Sequence, residues 1–486
     1  MPRRREQQIE HLLRRAAFGA SQSDVDDFAE SGVSGAVDRL IEYNETPDNV
    51  DSFIGRPGFV GITARGTFAP SANIIDARQR WLFRMVHSAR PLQEKMALFW
   101  HNHFATAYSK VAGEFGALEA TRMLAASPDD DPGRVKGQVQ LFRDFALGNF
   151  RDLLIAIARD PAMLVWLDGR TNFRARPQEN FARELMELFT MGVGTFEETD
   201  VYAGARVFTG WNLARIGDRA TPAAYYAFSY NGGQHDTAAK DFTFSIYPDG
   251  GRRIPGRSGD AGVQDGVDLI NAVARHPATG PRLARKLYAY FVNEIDAPDE
   301  GLINDLAATY YASNFEMKPV IRKLLVSPQF TDPANRYARY SWPVEFVVRA
   351  LKEVGWSGFS VNDALTPLAN MGQQLFDPPD VNGWELGQGW FSTGGMLARM
   401  NFAAALATNQ KFNLRDMSRA NARTPEALLS HIMDLLTPPS SSGGTYSALL
   451  DYTRAGGSWT GSDAQVATKA SGLVHLIVGS GDYQII

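Results

Sequence analysis

Two histidines stand one residue apart in the segment from Trp100 to Phe104, which reads Trp-His-Asn-His-Phe. Imidazoles this close in sequence suggest a pair of metal ligands. Apolar residues at positions 92, 96 and 99 predict a helix over 91–107, on which residues two apart point to nearly opposite sides. One metal ion therefore cannot bind both His101 and His103 unless the helix is broken. The alternative is that one histidine is hydrogen-bonded in the core and the other lines a second interface.

Carboxylates and an amide recur on one side of a second predicted helix, over 178–191. Asn180, Glu184 and Glu187 are spaced by four and three residues, so they share a helix face. Two carboxylates one turn apart, beside an amide, could bind a hard cation or serve as acid and base. The alternative is a solvated helix face, on which Arg183 forms an ordinary surface ion pair with the glutamate four residues before it.

A histidine and an aspartate are adjacent in a glycine-containing loop that lies between two β-like segments, 224–230 and 242–247. His235 and Asp236, followed by Lys240, could bind a metal or transfer a proton, because loops held by a scaffold often carry function. The alternative is a turn in which the Asp236 side chain bonds to its own backbone.

The loop over 376–385 combines two prolines with an Asn-Gly pair and large aromatic rings. The prolines stiffen the chain, and Asn382 with the following glycine predicts a turn with positive φ. Asp377, Trp384 and the nearby Trp390 could form a binding platform for a sugar ring or a peptide. The alternative is a lid that packs over the core.

Helical periodicity and capping residues dominate the chain that must position these clusters. Ser21 and Ser23 precede three aspartates, which is typical of a helix start, and Gly32 would end that helix. Alternation typical of strands is clear only in the insert that carries His235. Beyond those already named, helices are predicted over 138–147, 150–159, 197–208, 262–275, 281–293, 301–313, 317–327, 343–354 and 395–408.

These patterns predict a mainly α-helical protein, a large multi-helix globular fold with a small β-hairpin-like insert around 224–247. Residues 1–436 are expected to form a single large helical unit, or two subdomains, 1–215 and 261–436, joined by the insert. A Thr-Pro-Pro sequence followed by serine and glycine predicts that 437–486 form a C-terminal linker and helical tail.

Composition excludes several classes of function. Among 486 residues there is no cysteine, so disulfides, thiolate nucleophiles and cysteine-based metal sites are ruled out. The net charge of −5 provides no positive field for nucleic acid, which is not an expected partner. The usual motifs of phosphate-loop NTPases, common zinc proteases, α/β-hydrolases and Rossmann enzymes are absent.

The chain also lacks the hallmarks of membrane insertion and export. No apolar run approaches the ~20 residues that span a bilayer, so no membrane span is expected. The arginines at 3–5 are followed by glutamates and glutamines where a signal peptide needs an apolar segment. The sequence as given therefore predicts a cytoplasmic protein, and a periplasmic one if the chain was trimmed.

Four stretches resemble the signature segments of a large bacterial family catalogued as domain of unknown function 1800. They are residues 12–19 (LLRRAAFG), 100–106 (WHNHFAT), 179–211 and 371–403, and segments 235–240, 276–291 and 342–351 are also similar. The resemblance covers about residues 9–410 in one consistent order. It implies that the clusters above are signature segments that could meet in one pocket. It also implies exported relatives and a sulfatase-like partner protein, but no particular reaction.

The leading hypothesis is a metal-assisted hydrolase or transferase that acts on a small-molecule or carbohydrate substrate. Imidazole and carboxylate ligands suit Zn²⁺, Mn²⁺, Mg²⁺ or Fe, and a metal-bound water would be the nucleophile. The expected metal ligands are His103, Glu184, Glu187 and His235. The expected catalytic residues are His101, His103, Arg183, Glu184, Glu187, His235 and Asp236. The expected substrate-binding residues are Trp100, Asn180, Lys240, Asp377, Asn382 and Trp384.

The alternative hypothesis is a non-catalytic binding or assembly protein for a carbohydrate, a peptide or the sulfatase-like partner. Trp211, Trp384 and Trp390 would then be the anchors. If the enzyme hypothesis holds, His101 or His103 should lie within ~8 Å of the face that carries Glu184 and Glu187, because buried acids and histidines are costly unless they satisfy one another. His235 and Asp236 would stand at the mouth of that cleft.

Overall fold

The computed structural model describes residues 2–436 and 443–486. Within these ranges it contains 24 α-helices, with four short β-strands between the twelfth and the thirteenth helix. The helices are α1 (Pro2–Ala16), α2 (Gln22–Glu30), α3 (Gly32–Ile41), α4 (Ile74–His87), α5 (Pro91–His103), α6 (Tyr108–Phe115), α7 (Ala117–Ala125), α8 (Gln138–Asp144), α9 (Phe150–Ala158), α10 (Pro161–Trp166), α11 (Asn180–Glu184), α12 (Glu198–Val207), α13 (Val263–Arg275), α14 (Thr279–Phe291), α15 (Glu300–Ala312), α16 (Met317–Leu325), α17 (Pro328–Thr331), α18 (Pro343–Val354), α19 (Asn362–Asn370), α20 (Thr393–Asn409), α21 (Lys411–Ser418), α22 (Pro425–Leu436), α23 (Gly443–Arg454) and α24 (Asp463–Val478).

The predicted mainly α-helical fold is confirmed, and most predicted helices end within a few residues of the observed ones. Ser21 caps α2 as expected, since its side chain accepts from Asp24 N while Asp24 accepts from Ser21 N. The helix predicted over 91–107 ends earlier, at His103, because Phe104 leaves the helical conformation. The predicted 178–191 helix changes type partway, from the α-helix α11 to a π-helical turn at Leu185–Phe189.

The β insert is present, but its strands pair differently from the sequence prediction. Strand β1 (Trp211–Ile216) pairs antiparallel with β2 (Tyr225–Tyr230), with Trp211 opposite Tyr230. Strand β3 (Lys240–Asp241) pairs with β4 (Arg253–Ile254). The expected hairpin between 224–230 and 242–247 is therefore wrong in its pairing. Phe242, Phe244 and Ile246 are buried and alternate with exposed residues as expected. Their segment bonds to the chain at 251–252, however, since Phe242 N donates to Arg252 O and Ile246 N to Gly251 O.

Helix α5 lies at the centre of the molecule, and every residue from Leu92 to His103 is buried except Asn102. Its two charged residues are paired on different sides of the helix. Glu94 accepts from Arg84 of α4 at 2.7 Å and from Arg143 of α8 at 2.9 Å. Lys95 forms a salt bridge with Glu345 of α18, which also accepts from Arg339 at 2.7 Å. These ion pairs join three neighbouring parts of the fold to one central helix.

The C-terminal helices share the core of the rest of the protein. Helix α24 packs against α20, α21 and α22. Tyr483, beyond its end, is buried and donates to Glu353 of α18 at 2.6 Å, and Ser341 N donates to Gln484 O at 2.8 Å. The first six residues of the predicted 437–486 linker and tail lie outside the described residues. The division into subdomains 1–215 and 261–436 remains a prediction.

Within residues 2–436 and 443–486, no helix combines the length and apolar character needed to cross a lipid bilayer.

The central ion pairs predict a specific stability effect. Glu345→Gln would leave Lys95 and Arg339 buried without their shared counter-charge, so it should lower the free energy of unfolding by about 3–5 kcal/mol. Urea unfolding followed by circular dichroism measures the loss. Glu300→Gln is the matched control, because Glu300 pairs with Arg285 on the exposed surface and should cost less than about 1 kcal/mol. Equal losses for the two variants would contradict the central role of the α5 ion pairs.

Candidate functional site

The last turn of α5 fastens two distant loops through side-chain hydrogen bonds. Trp100 donates its ring N–H to Ala146 O at 3.1 Å. The Nε2 atom of His101 accepts from Phe376 N at 3.2 Å, and Asn102 Oδ1 accepts from Trp384 N at 2.7 Å. The Trp-His-Asn-His segment therefore holds the rigid loop 376–384 against the core.

His101 is a buried, neutral acceptor in this contact. Its ring packs edge-on against Trp81 and Trp384, at centroid distances of 5.3 and 5.2 Å. Burial lowers the pKa of His101 to about 3, because the charged imidazolium would lose its hydration. His101 thus has the surroundings of a hydrogen-bonded core histidine, which was the alternative interpretation of the sequence.

The residues expected to bind substrate in the 376–385 loop serve the packing of that loop. Asp377 accepts from Ser109 N at 3.0 Å and from the Gln374 amide at 3.0 Å. Asn382 is exposed, and the glycine after it has φ +85°, as the Asn-Gly turn predicted. The rings of Trp100, Trp211, Trp384 and Trp390 are buried and contact the core, so none presents a surface to a ligand.

His103 faces the other side of α5 and contacts the π-helical turn. Its Nε2 lies 3.1 Å from Phe189 O, and its Nδ1 lies 3.1 Å from the amine of Lys286 on α14. The same amine donates to Leu188 O at 3.2 Å. Because the π-helical turn frees carbonyl groups from regular helix bonding, Leu188 O and Phe189 O can accept from these two side chains. With Lys286 as donor, His103 carries its proton on Nε2.

Two cations on α14 stand beside His103 without an ion-pair partner. Within the described residues, Lys286 and Arg282, four positions apart, form no salt bridge, and the Arg282 Nε atom is buried without a hydrogen bond. Burial, and then the charge of Arg282, lowers the pKa of Lys286 to about 7. Burial likewise lowers the pKa of Arg282, although the nearby charge of Glu187 opposes that shift.

The two glutamates predicted as acid and base interact electrostatically with each other, and Glu187 also interacts with Arg282. Burial raises the pKa of Glu184, and the charge of Glu187 raises it further, while Arg183 opposes both. Electrostatic interactions thus link Glu184 to Glu187, Glu187 to Arg282, and Arg282 to Lys286 and His103. These five residues, Glu184, Glu187, Arg282, Lys286 and His103, are called the polar cluster below. Among the described residues, the His235 segment and the 376–385 loop form no hydrogen bond or ion pair with these five residues.

Asn180 and Arg183 form their hydrogen bonds and ion pairs with residues outside the polar cluster. Asn180 donates to Asp168 at 2.9 Å, and Asp168 also accepts from Lys110 at 3.1 Å. Arg183 pairs with Glu198 at 2.7 Å and with Glu179 at 3.2 Å, on the surface. Asn180 and Glu184 both lie in α11, whereas Glu187 lies in the π-helical turn, where the angular spacing between residues differs from that of a regular helix.

The His235 segment fastens the β insert to α13. His235 is fully buried, with Nδ1 2.9 Å from Thr209 O and Nε2 3.2 Å from Asp265. Lys240 donates to the same Asp265 carboxylate at 2.6 Å. Asp236 forms a salt bridge with Arg206 at 2.7 Å. All of these partners lie outside the polar cluster, so these contacts do not bring the segment to that cluster.

The metal centre expected from His103, Glu184, Glu187 and His235 is not assembled. Nowhere in residues 2–436 and 443–486 do three histidine or acidic side chains form a group that could hold a metal ion. The physical reason is that both nitrogens of His103 are hydrogen-bonded within the protein, as are both nitrogens of His235.

Arg282 and Lys286 were missed by sequence reasoning. They occur within a helix predicted over 281–293, four residues apart, as cations on countless surface helices do. The one signal in the sequence is that positions 278 and 290, four residues before Arg282 and four after Lys286, are not acidic, so neither cation has an ion-pair partner within the helix at that spacing. The carbonyl groups that receive Lys286 come from a segment about a hundred residues away in the chain.

Comparison with known proteins identifies a family but no activity. Residues 11–485 match the model of a family described as a protein of unknown function, DUF1800. No curated protein and no solved structure matches the chain significantly.

The surroundings of His101 predict how stability depends on pH. The pKa of His101 is about 3 in the folded state and about 6.5 in the unfolded state. As the pH falls from 7 to 5, only the unfolded state binds a proton at this residue, so the free energy of unfolding should fall by about 2 kcal/mol. His101→Gln keeps an acceptor for Phe376 N but cannot titrate, so its free energy of unfolding should fall less over this interval. Urea unfolding at pH 8, 7, 6 and 5 measures the difference, with pH 8 as the reference. Parallel curves for variant and wild type would contradict the neutral assignment.

Proposed function

Because the chain belongs to the DUF1800 family of proteins of unknown function, its activity has to be inferred from the site itself, and we propose an enzyme that acts on a small anionic substrate. The proposed reaction is a hydrolysis or a group transfer. Arg282 and Lys286 bind the anionic group of the substrate, and Lys286 and Glu184 exchange protons with it. The observation that carries the proposal is the pair of half-buried cations on α14 that have no carboxylate partner.

The cost of burying charge supports an external anion at this position. A protein cation removed from water is normally paired with an acidic side chain, as Lys95 is with Glu345. Arg282 and Lys286 have no such partner, and the charge of Arg282 lowers the pKa of Lys286. A phosphate, sulfate or carboxylate group of a substrate would supply the missing counter-charge and bind through both side chains.

The two hydrogen bonds of Lys286 also determine where the third position on its amine nitrogen points. One N–H is given to His103 Nδ1 and another to Leu188 O. The remaining position on the nitrogen carries a proton or a lone pair, according to pH, and points away from both acceptors. With a pKa of about 7, the amine can donate or accept a proton at neutral pH, as an acid–base catalyst must. His103 acts as a positioning residue, since it orients this amine.

Glu184 supplies the second proton-transfer group in this proposal. Its raised pKa favours a carboxyl group that can hold a proton and release it during the reaction. The cations provide the electrostatic stabilisation that the sequence hypothesis assigned to a metal ion. The competing binding-protein hypothesis gains nothing from Trp211, Trp384 and Trp390, because these rings are buried.

Competitive labelling tests the unusual amine. Acetic anhydride reacts with neutral amines, so Lys286 should become labelled as the pH rises through about 7. Peptide mass spectrometry reads the extent at each lysine, and inorganic phosphate should protect Lys286 alone. Lys95, which is fully buried, should stay unlabelled in the folded protein, and labelling of the exposed Lys318 shows that the reagent is active.

Arg282→Gln should raise the pH at which half of Lys286 is labelled, whereas Arg282→Lys should leave that pH unchanged. Labelling of Lys286 in step with Lys318, unaffected by phosphate, would overturn the proposal.

Substrate turnover tests the role of Arg282. Hydrolysis of p-nitrophenyl phosphate and p-nitrophenyl sulfate should exceed that of the uncharged acetate ester. For the preferred anionic ester, Arg282→Gln should raise KM by about tenfold or more, since one charge-assisted contact is lost. Arg285→Gln is the matched control, because Arg285 lies on the same helix but is paired with Glu300. Equal effects of the two variants on KM would show that Arg282 does not bind the anion.

A further inference from the structure

A separate cleft of about 420 Å³ opens at the N-terminal end of α2, on residues that the polar cluster does not use. Its walls come from four segments of the chain, within 13–28, 39–46, 86–91 and 352–356. Ser21 and Asp24 form the capping box of α2, His87 is the last residue of α4, and Lys352 and Trp356 lie at and just after the end of α18. The volume is in the range that holds a small molecule.

His87 lines this cleft and carries one ring nitrogen that has no hydrogen-bond partner among the described residues. Its Nε2 accepts from Val60 N at 3.0 Å, so the ring proton is on Nδ1. No described residue bonds to Nδ1, and that atom is not among the enclosed unpaired atoms. Burial lowers the pKa of His87 to about 4, and the charge of Lys352 adds to this effect, so the ring is neutral at physiological pH. The ring stands edge-on to Trp356, with centroids 4.8 Å apart and planes at 89°.

The charged residues of the cleft balance one another. Lys352 donates to Ala17 O at 2.9 Å, and the charge of Asp24 partly offsets the effect of its burial. Asp24 Oδ2 accepts from Ser21 N and Ser21 Oγ at 2.8 Å each, whereas Oδ1 accepts no hydrogen bond from the described residues. Asp27 and Arg39, farther along the wall, form their own salt bridge at 2.7 Å. The cleft therefore has separate donors and acceptors but no excess of either charge.

We propose that this cleft binds a small, uncharged, polyhydroxylated ligand, such as a pyranose ring or the end of a glycan. Hydroxyl groups can donate to Asp24 and accept from Lys352 and His87 in the same site. The rings of Trp356 and Tyr43 supply apolar surface for the C–H face of such a ligand. A charged ligand would leave Asp24 or Lys352 facing a like charge. This inference is independent of the proposed function, because the two sites share no residue.

Ligand-observed saturation-transfer NMR tests the proposal with D-glucose, D-galactose and N-acetyl-D-glucosamine as neutral probes. The matched charged probes are D-glucuronate and D-glucosamine. At least one neutral pyranose should bind more tightly than both charged probes. Trp356→Ala should weaken that binding by about tenfold or more, and Trp356→Phe by less, since an aromatic ring is kept. Trp459→Ala is the control, because Trp459 is half-buried elsewhere and bonds to Ala422 O.

A charge variant gives a second test that does not depend on removing a tryptophan. Asp24→Asn can still accept from Ser21 and so keeps the helix cap, but it leaves Lys352 without its neighbouring negative charge. Glucuronate should then bind more tightly than it does to the wild type. Three results would each overturn the proposal: no saturation transfer to any neutral pyranose, charged probes that bind as tightly as neutral ones, or equal glucuronate binding by wild type and Asp24→Asn.

Discussion

The complete burial of α5 is the constraint on which the rest of the structure depends. A carboxylate and an ammonium group cannot leave water unless partners satisfy them, and this central helix carries one of each in adjacent positions. Glu94 and Lys95 point in different directions, so α4 and α8 are held on one side and α18 on another. Burial opposes the ionisation of Glu345, but the charges of Arg339 and Lys95 outweigh it and lower the pKa of Glu345 to about 2. Packing and charge pairing are thus inseparable in this core.

The need to pair buried polar groups also explains the contacts made by the polar residues of the signature segments. Residues that look catalytic in the sequence are used where helices and loops must be joined without leaving polar groups unpaired. His101 and Asn102 receive backbone N–H groups from a loop, and His235 bridges Thr209 to Asp265. A histidine with both ring nitrogens occupied has no capacity left for a metal or a substrate. Chemically suggestive residue types are therefore poor evidence of function in so large a helical core.

The polar cluster differs because its hydrogen-bonding capacity is not exhausted. The π-helical turn supplies two carbonyl groups, and these hold His103 and Lys286 without neutralising the charge of the amine. A carbonyl group orients a cation but provides no formal counter-charge. Arg282 increases the local positive potential further, and Glu187 offsets it only in part. An imbalance of this kind is what a site for an anion requires.

The sequence by itself determined the mainly helical class, about half of the helices with their approximate ends, and the presence of a small β insert. These features follow from local causes, such as the apolar repeat before His103, the Ser21 cap and the positive φ of the glycine after Asn382. Only the tertiary structure decided which polar residues remain free. His101 meets Phe376 across 275 residues, and Lys286 meets His103 across 183, so nothing local distinguishes an occupied imidazole from an available one. The strand pairing of the insert and the π-helical turn were likewise seen only in the tertiary structure.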